Sequence, residues 1–196
     1  MITEVQIENY KSIQKLKLGL GRVTVFIGEN GCGKSNILEA IALASAAASN
    51  KLDNEFLYSR GIRVTEPEFM RSAFDKENLA KQIKINLKSD EENNFELALQ
   101  HDNQPYSSWN GILHMPSPPE EFTERIRDQK DGHELLIDLS GDLFVNQKLN
   151  LIRNFLIYSP ENSSLRIFEK EGQIQPLGIN GEGLFKLLKV LRLESV

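Results

Sequence analysis

Residues 22–35 read Arg22-Val23-Thr24-Val25-Phe26-Ile27-Gly28-Glu29-Asn30-Gly31-Cys32-Gly33-Lys34-Ser35, and the fold is decided by how they are read. Arg22–Ile27 is short, β-branched and almost wholly apolar, the pattern of a strand buried on both faces. Gly28–Ser35 fits G-x-x-x-x-G-K-[ST], a spacing that a random chain of this length shows on the order of once in a hundred cases. Each fixed position has a physical reason. The glycines allow backbone conformations that turn successive N–H groups inward as an anion nest. Lys34 adds a mobile positive charge for the β- and γ-phosphates of a nucleotide, and the Ser35 hydroxyl is a ligand type suited to Mg²⁺. Residues 35–49 (SNILEAIALASAAAS) follow as strong helix material with an apolar stripe at Ile37, Leu38 and Ile41, and Asn50 is the expected terminator. The helix therefore points its positive end at the loop. Strand, phosphate loop and helix in succession predict an α/β fold of the P-loop NTPase type. A dinucleotide-binding turn fits poorly, because Lys34 and Ser35 would have no role there.

Working outward, residues 2–9 and 13–18 alternate apolar and polar and predict two strands, with Gly19 and Gly21 at the following turn. Residues 81–88 and 95–100 alternate at Ile83, Ile85, Leu87 and at Phe95, Leu97, Leu99, a hairpin with a polar loop. Residues 105–119 hold four of the seven prolines and read as loop; 120–128 read as a short helix; 133–139 and 154–158 read as strands. Gln173–Gly183 reads as loop and Leu184–Leu193 as an apolar helix. Residues 51–80 give no clear pattern.

The 196 residues carry a net charge of -5, and the excess acid is confined to one stretch. Residues 1–50 hold five basic and four acidic side chains, 51–150 hold 12 and 19, and 151–196 hold six and five. The middle reads as a solvated acidic insertion, which argues against a general nucleic-acid backbone surface there. One cysteine excludes a disulfide framework and a cysteine zinc site. No apolar run reaches ~18 residues, and the N-terminus has no signal-peptide pattern. A cytoplasmic protein is the expectation.

The likeness extends past the loop. Asn9-Tyr10-Lys11-Ser12, a strand pair and then Phe26–Ile41 resemble the head of the ABC-type ATPases, in the group of RecF, structural-maintenance-of-chromosomes and OLD-like predicted AAA ATPases. The hairpin at 81–100 resembles the antiparallel β-lobe inserted after their P-loop helix. Ile157–Asn162, Pro176–Gly178 and Gly181–Leu184 resemble the predicted AAA-type members. The resemblance implies an N-terminal lobe with an antiparallel β subdomain: 1–50 a Walker A core, 51–150 the β-lobe with the acidic insertion, and 151–196 a C-terminal strand and helix. It implies ATP and Mg²⁺ as cofactors, Lys34 as the catalytic residue and Ser35 as the metal ligand. Glu29, Asn30, Gly31, Cys32, Gly33, Lys34, Ser35, Asn36 and Lys11 would hold the nucleotide. In the complete protein it implies a head-to-head homodimer whose ATP hydrolysis drives a change acting on DNA, in repair or defence, or on a partner such as a nuclease.

The departures bear on that reading. No apolar strand ends in paired acids as a Walker B strand does, and no segment resembles the signature. Leu135–Leu139 has one acid, and Glu91-Glu92 follows a polar stretch. The expectation is therefore the phosphate-binding half of a longer enzyme, with the apolar surface normally covered by the other half exposed. The alternative is a nucleotide-sensing regulatory module that binds ATP without turnover. A small-molecule kinase would need lid arginines; Arg60, Arg63 and Arg71 are available, but the hairpin fits that fold poorly. Nothing in the sequence selects among Gln82, Gln104, Gln129 and Gln147 as a Mg²⁺ partner. His101, His114 and His133 lack metal spacing, and a redox role for Cys32 competes with its reading as a tolerated small residue.

Overall fold

The computed structural model describes residues 1–90, 94–104, 106–114, 150, 152–160, 165 and 179–184. Its centre is a five-stranded sheet in the order β2-β1-β3-β4-β5, antiparallel at every pairing. The strands are β1 (Ile2–Tyr10), β2 (Ile13–Gly19), β3 (Ile83–Ser89), β4 (Asn94–Gln100) and β5 (Asn110–His114). Period-two alternation sets the register: Val5 stands opposite Leu18 and Leu87, and Ile7 opposite Leu16 and Ile85. One face of the sheet is thereby apolar and buried, with Ile83, Phe95, Leu97 and Leu99 completing it.

Helix α1 (Lys34–Ala48) joins that core. It is buried around most of its circumference, from Ile37 through Ala48, because alanine lets neighbours approach closely. Its C-terminus closes as the sequence predicts. Asn50 adopts a left-handed φ of 53°, and the amides of Asn50 and Lys51 donate to the carbonyls of Ala47 and Ala46, a Schellman arrangement. A short helix, α2 (Asn54–Ser59), starts at the Asp53 side chain, which accepts from the amide of Phe56. A 3₁₀ turn covers Lys76–Ala80.

Three expectations need correction. Residues 22–27 do not form a buried strand: Val23, Val25 and Ile27 are 85%, 73% and 90% exposed. A strand requires a neighbour, and none of the described strands lies beside this segment. The chain is also led away from β2, with Leu20 N–H donating to Thr3 O and Gly21 N–H to Thr24 Oγ1. Residues 154–158 form no strand either. They leave a turn tied to α1, where Ser45 Oγ donates to Arg153 O and Arg153 Nε to Ala48 O. Their apolar character serves packing, with Phe155 and Ile157 against the core. The third correction is that 105–119 is not all loop, since β5 pairs Gly111 with Leu99 and Ile112 with Ala98. Residues 179–183 form turns as expected. The proposed helix at 120–128, the strand at 133–139 and the body of the helix after Leu184 lie outside the described residues, as do ten of the nineteen acidic residues of 51–150.

Candidate functional site

Gly28–Gly33 leads into α1 as an exposed loop. Gly31 and Gly33 have φ of 85° and 93°, a region costly for other residues. At Gly33 space is restricted as well, because a Cβ would lie 2.9 Å from Ser12 Oγ. Gly33 is the N-cap of α1, yet no side chain caps the helix and its first turn carries no acid. The orphan amides and the positive end of the helix dipole are thus left to the loop's concave side. Lys34 folds over the loop, its Nζ donating to the carbonyls of Gly28 (2.8 Å) and Glu29 (2.6 Å), with Cys32 Sγ at 3.5 Å. Ser35 is exposed at the start of the helix. Backbone donors, one mobile ammonium and one accessible hydroxyl match what a polyphosphate with a bound Mg²⁺ requires.

A second layer braces this loop. Asn36 Nδ2 donates to Ser12 Oγ at 2.8 Å, and Asn36 Oδ1 accepts from Arg63 Nη2 at 2.8 Å. The carboxylate of Glu39, one turn further along α1, is buried and paired with both Lys11 and Arg63. Lys11 Nζ also donates to Arg63 O at 2.8 Å. Burial lowers the Lys11 pKa from the usual lysine value, and the Glu39 carboxylate opposes that shift. Tyr10 is buried beside Glu39, and mainly for lack of solvation its phenol is raised well above its usual value. The structure therefore brings Lys11 and Asn36 to the flank of the loop, with Lys11 engaged by a carboxylate.

Other candidates stand elsewhere. Gln82 Nε2 donates to Gln100 Oε1 on the sheet, and Gln104 lines a cavity at the C-terminal end of α1, the opposite end from the loop. His101 is buried with both ring nitrogens engaged, Nδ1 by the Asn103 amide and Nε2 by Ser107 O. Arg71 is buried and serves the fold through carbonyls of Lys81 and His101, while Arg60 lies over the Phe56 ring. Among the described residues no cluster of three or more His, Cys, Asp or Glu side chains is arranged to hold a metal.

Glu39 and Asn9 lie in the stretches that carry the resemblance, but the sequence assigned neither a role. Glu39 had a signal, being the only acid between Ser35 and Ser49. Asn9 opens the Asn9–Ser12 element, but nothing in the sequence showed its partners: its amide donates to the carbonyls of Asn78 and Lys81 and accepts from the Ser72 amide, 63 to 72 residues away.

Residues 1–177 match the family described as the AAA ATPase domain. The chain belongs to that family. Its fold is of the P-loop NTPase-like α/β kind. Curated relatives include the DNA replication and repair protein RecF of Bacillus cereus (strain G9842), 33% identical over 89 residues, which is 44% of this chain and 23% of that protein. RecF of Bacillus thuringiensis (strain Al Hakam) is 42% identical over 55 residues, 28% of this chain and 15% of that protein. The chain thus spans less than a quarter of the length of these relatives. No described helix of this family member is long and apolar enough to cross a membrane.

Proposed function

We propose that the chain binds ATP with Mg²⁺ at residues 28–36 and supplies the phosphate-binding part of an ATPase. One observation carries the reading: α1 starts uncapped behind a left-handed Gly33, with Lys34 folded over the loop, in a member of the AAA ATPase domain family. The amides of Gly31–Ser35 and the Lys34 ammonium would hold the phosphates, and Ser35 would ligate the metal. Bound Mg²⁺ would neutralise charge on the β- and γ-phosphates. Asn36 and Lys11 flank the site, positioned by Ser12, Arg63 and Glu39. In the complete protein, ATP hydrolysis in a head-to-head dimer would drive a conformational change that acts on DNA or on a partner such as a nuclease. The RecF relatives, proteins of DNA replication and repair, support the DNA arm of that reading.

The test is calorimetric titration of Mg-ATP into wild type and Lys34→Ala. Loss of a charged hydrogen-bond donor weakens binding by about 10-fold or more. Equal affinities would overturn the phosphate site.

A second reading, nucleotide sensing without turnover, is favoured by the state of Glu39. The buried carboxylate beside the loop is held by Lys11 and Arg63, so it is not free to polarise an attacking water. Steady ATP hydrolysis by the purified chain, lost in Lys34→Ala, would exclude sensing alone.

A further inference from the structure

Phe74 is 70% exposed, yet its turn is anchored on both sides. Before it, the Ser72 amide donates to Asn9 Oδ1 at 3.0 Å, and the buried Arg71 donates to His101 O at 2.6 Å. After it, Asp75 Oδ1 accepts from the Glu77 amide at 3.1 Å and starts the 3₁₀ turn. A single exposed apolar side chain needs no explanation. This one, however, lines a cavity of about 460 Å³, within the size range of small-molecule sites.

The cavity opens directly onto the phosphate loop. Cys32 and Gly33 form part of its wall, and Ile13, Leu16 and Ile37 supply apolar surface. The Ser12 hydroxyl is also in the lining. The single charged side chain among the described lining residues, Lys15, is paired with Glu8 at 2.8 Å. Largely apolar walls, one aromatic face, a hydroxyl and the neutral Gln14 suit a flat heteroaromatic ring far better than a second anion.

We propose that this cavity receives the base of the nucleotide, with Phe74 stacked on the ring, an inference that rests on the reading of residues 28–36 as the phosphate site. Stacking recognises the π-face rather than ring substituents, so adenine and guanine nucleotides should both depend on Phe74.

The experiment compares Mg-ATP with inorganic tripolyphosphate, which offers phosphates without a base. Wild type, Phe74→Ala, Phe74→Trp and Lys34→Ala chains are titrated with each. Phe74→Ala should weaken ATP about 10-fold and leave tripolyphosphate unchanged. Phe74→Trp should restore ATP binding, with fluorescence that responds to ATP and not to tripolyphosphate. Wild-type ATP affinity in Phe74→Ala, with Lys34→Ala still weakened, would overturn the base pocket alone. Equal weakening of both ligands in Phe74→Ala would also overturn it, since the effect would then come from the loop. Unchanged binding of both ligands in Lys34→Ala would overturn the phosphate site and the base pocket with it.

Discussion

Glu39 is a buried acid on an apolar helix, and its two cations come from different parts of the chain. Lys11 begins the turn after β1, and Arg63 follows α2. Lys11 also has a left-handed φ of 48°, so its backbone is held in an unfavourable region while its side chain reaches the carboxylate. Removing one member of a buried ion pair costs far more than the pair itself contributes, because the other charge is left without solvent or partner. Glu39→Ala should therefore lose about 3 kcal/mol in urea unfolding, toward the lower end of such changes because Arg63 remains largely in water. In the double variant Lys11→Met/Glu39→Leu, part of that loss should return. A Glu39→Ala chain as stable as wild type would show that the carboxylate braces nothing. In the sequence, Glu39 stands out as a lone acid in SNILEAIALASAAAS, but its partners do not, since Lys11 and Arg63 are 28 and 24 residues away.

The antiparallel sheet was legible because its strands have one buried and one solvated face, and period two records that directly. Residues 22–27 misled for the complementary reason: an apolar β-branched run reports a preference for burial, whereas a strand also needs a hydrogen-bonding neighbour. β5 was hidden by the nearby prolines and by Gly111, which weakens a strand pattern; here a Cβ at Gly111 would stand 3.1 Å from the Leu99 side chain. The outer face of the sheet makes its own prediction. Glu4 on β1 accepts from Gln6 Nε2 and pairs with Lys17 on β2 and Lys88 on β3. The Gln6 hydrogen bond first, and then the Lys17 contact, lower its pKa from 4.5 to about 2. The unfolded chain therefore takes up this proton at higher pH than the folded one. The stabilisation is complete above pH 4.5 and is lost as pH falls toward 2. A stability gap between wild type and Glu4→Gln should be present at pH 7, close across that window, and shrink in high salt. A gap independent of pH would mean that the carboxylate's charge has no part in joining the three strands.

Among the described residues, the ion pairs of the sheet and the exposed β-branched side chains fall in different places. The open face of the sheet is laced with Glu–Lys pairs, whereas Val23, Val25 and Ile27 stand in water at the approach to the phosphate loop. Along this segment the three side chains leave an exposed apolar ribbon, while Phe26 is partly buried against the core. Such a ribbon, on a segment that no described strand pairs with, favours addition of another extended segment. The purified chain should therefore self-associate with rising concentration in sedimentation velocity. The triple variant Val23→Thr/Val25→Thr/Ile27→Thr should remain monomeric with an unchanged circular dichroism spectrum, since it keeps β-branching and removes only exposed apolar groups. A monomeric wild type at every concentration would contradict this. The ribbon also has a bearing on the ligand site, because Ile27 is bonded to Gly28. Covering the ribbon would order the entry to the loop, so association and ATP binding should be linked, each strengthening the other by the same factor. ATP should then shift wild type toward the associated form, and ATP affinity in the monomeric triple variant should not depend on protein concentration.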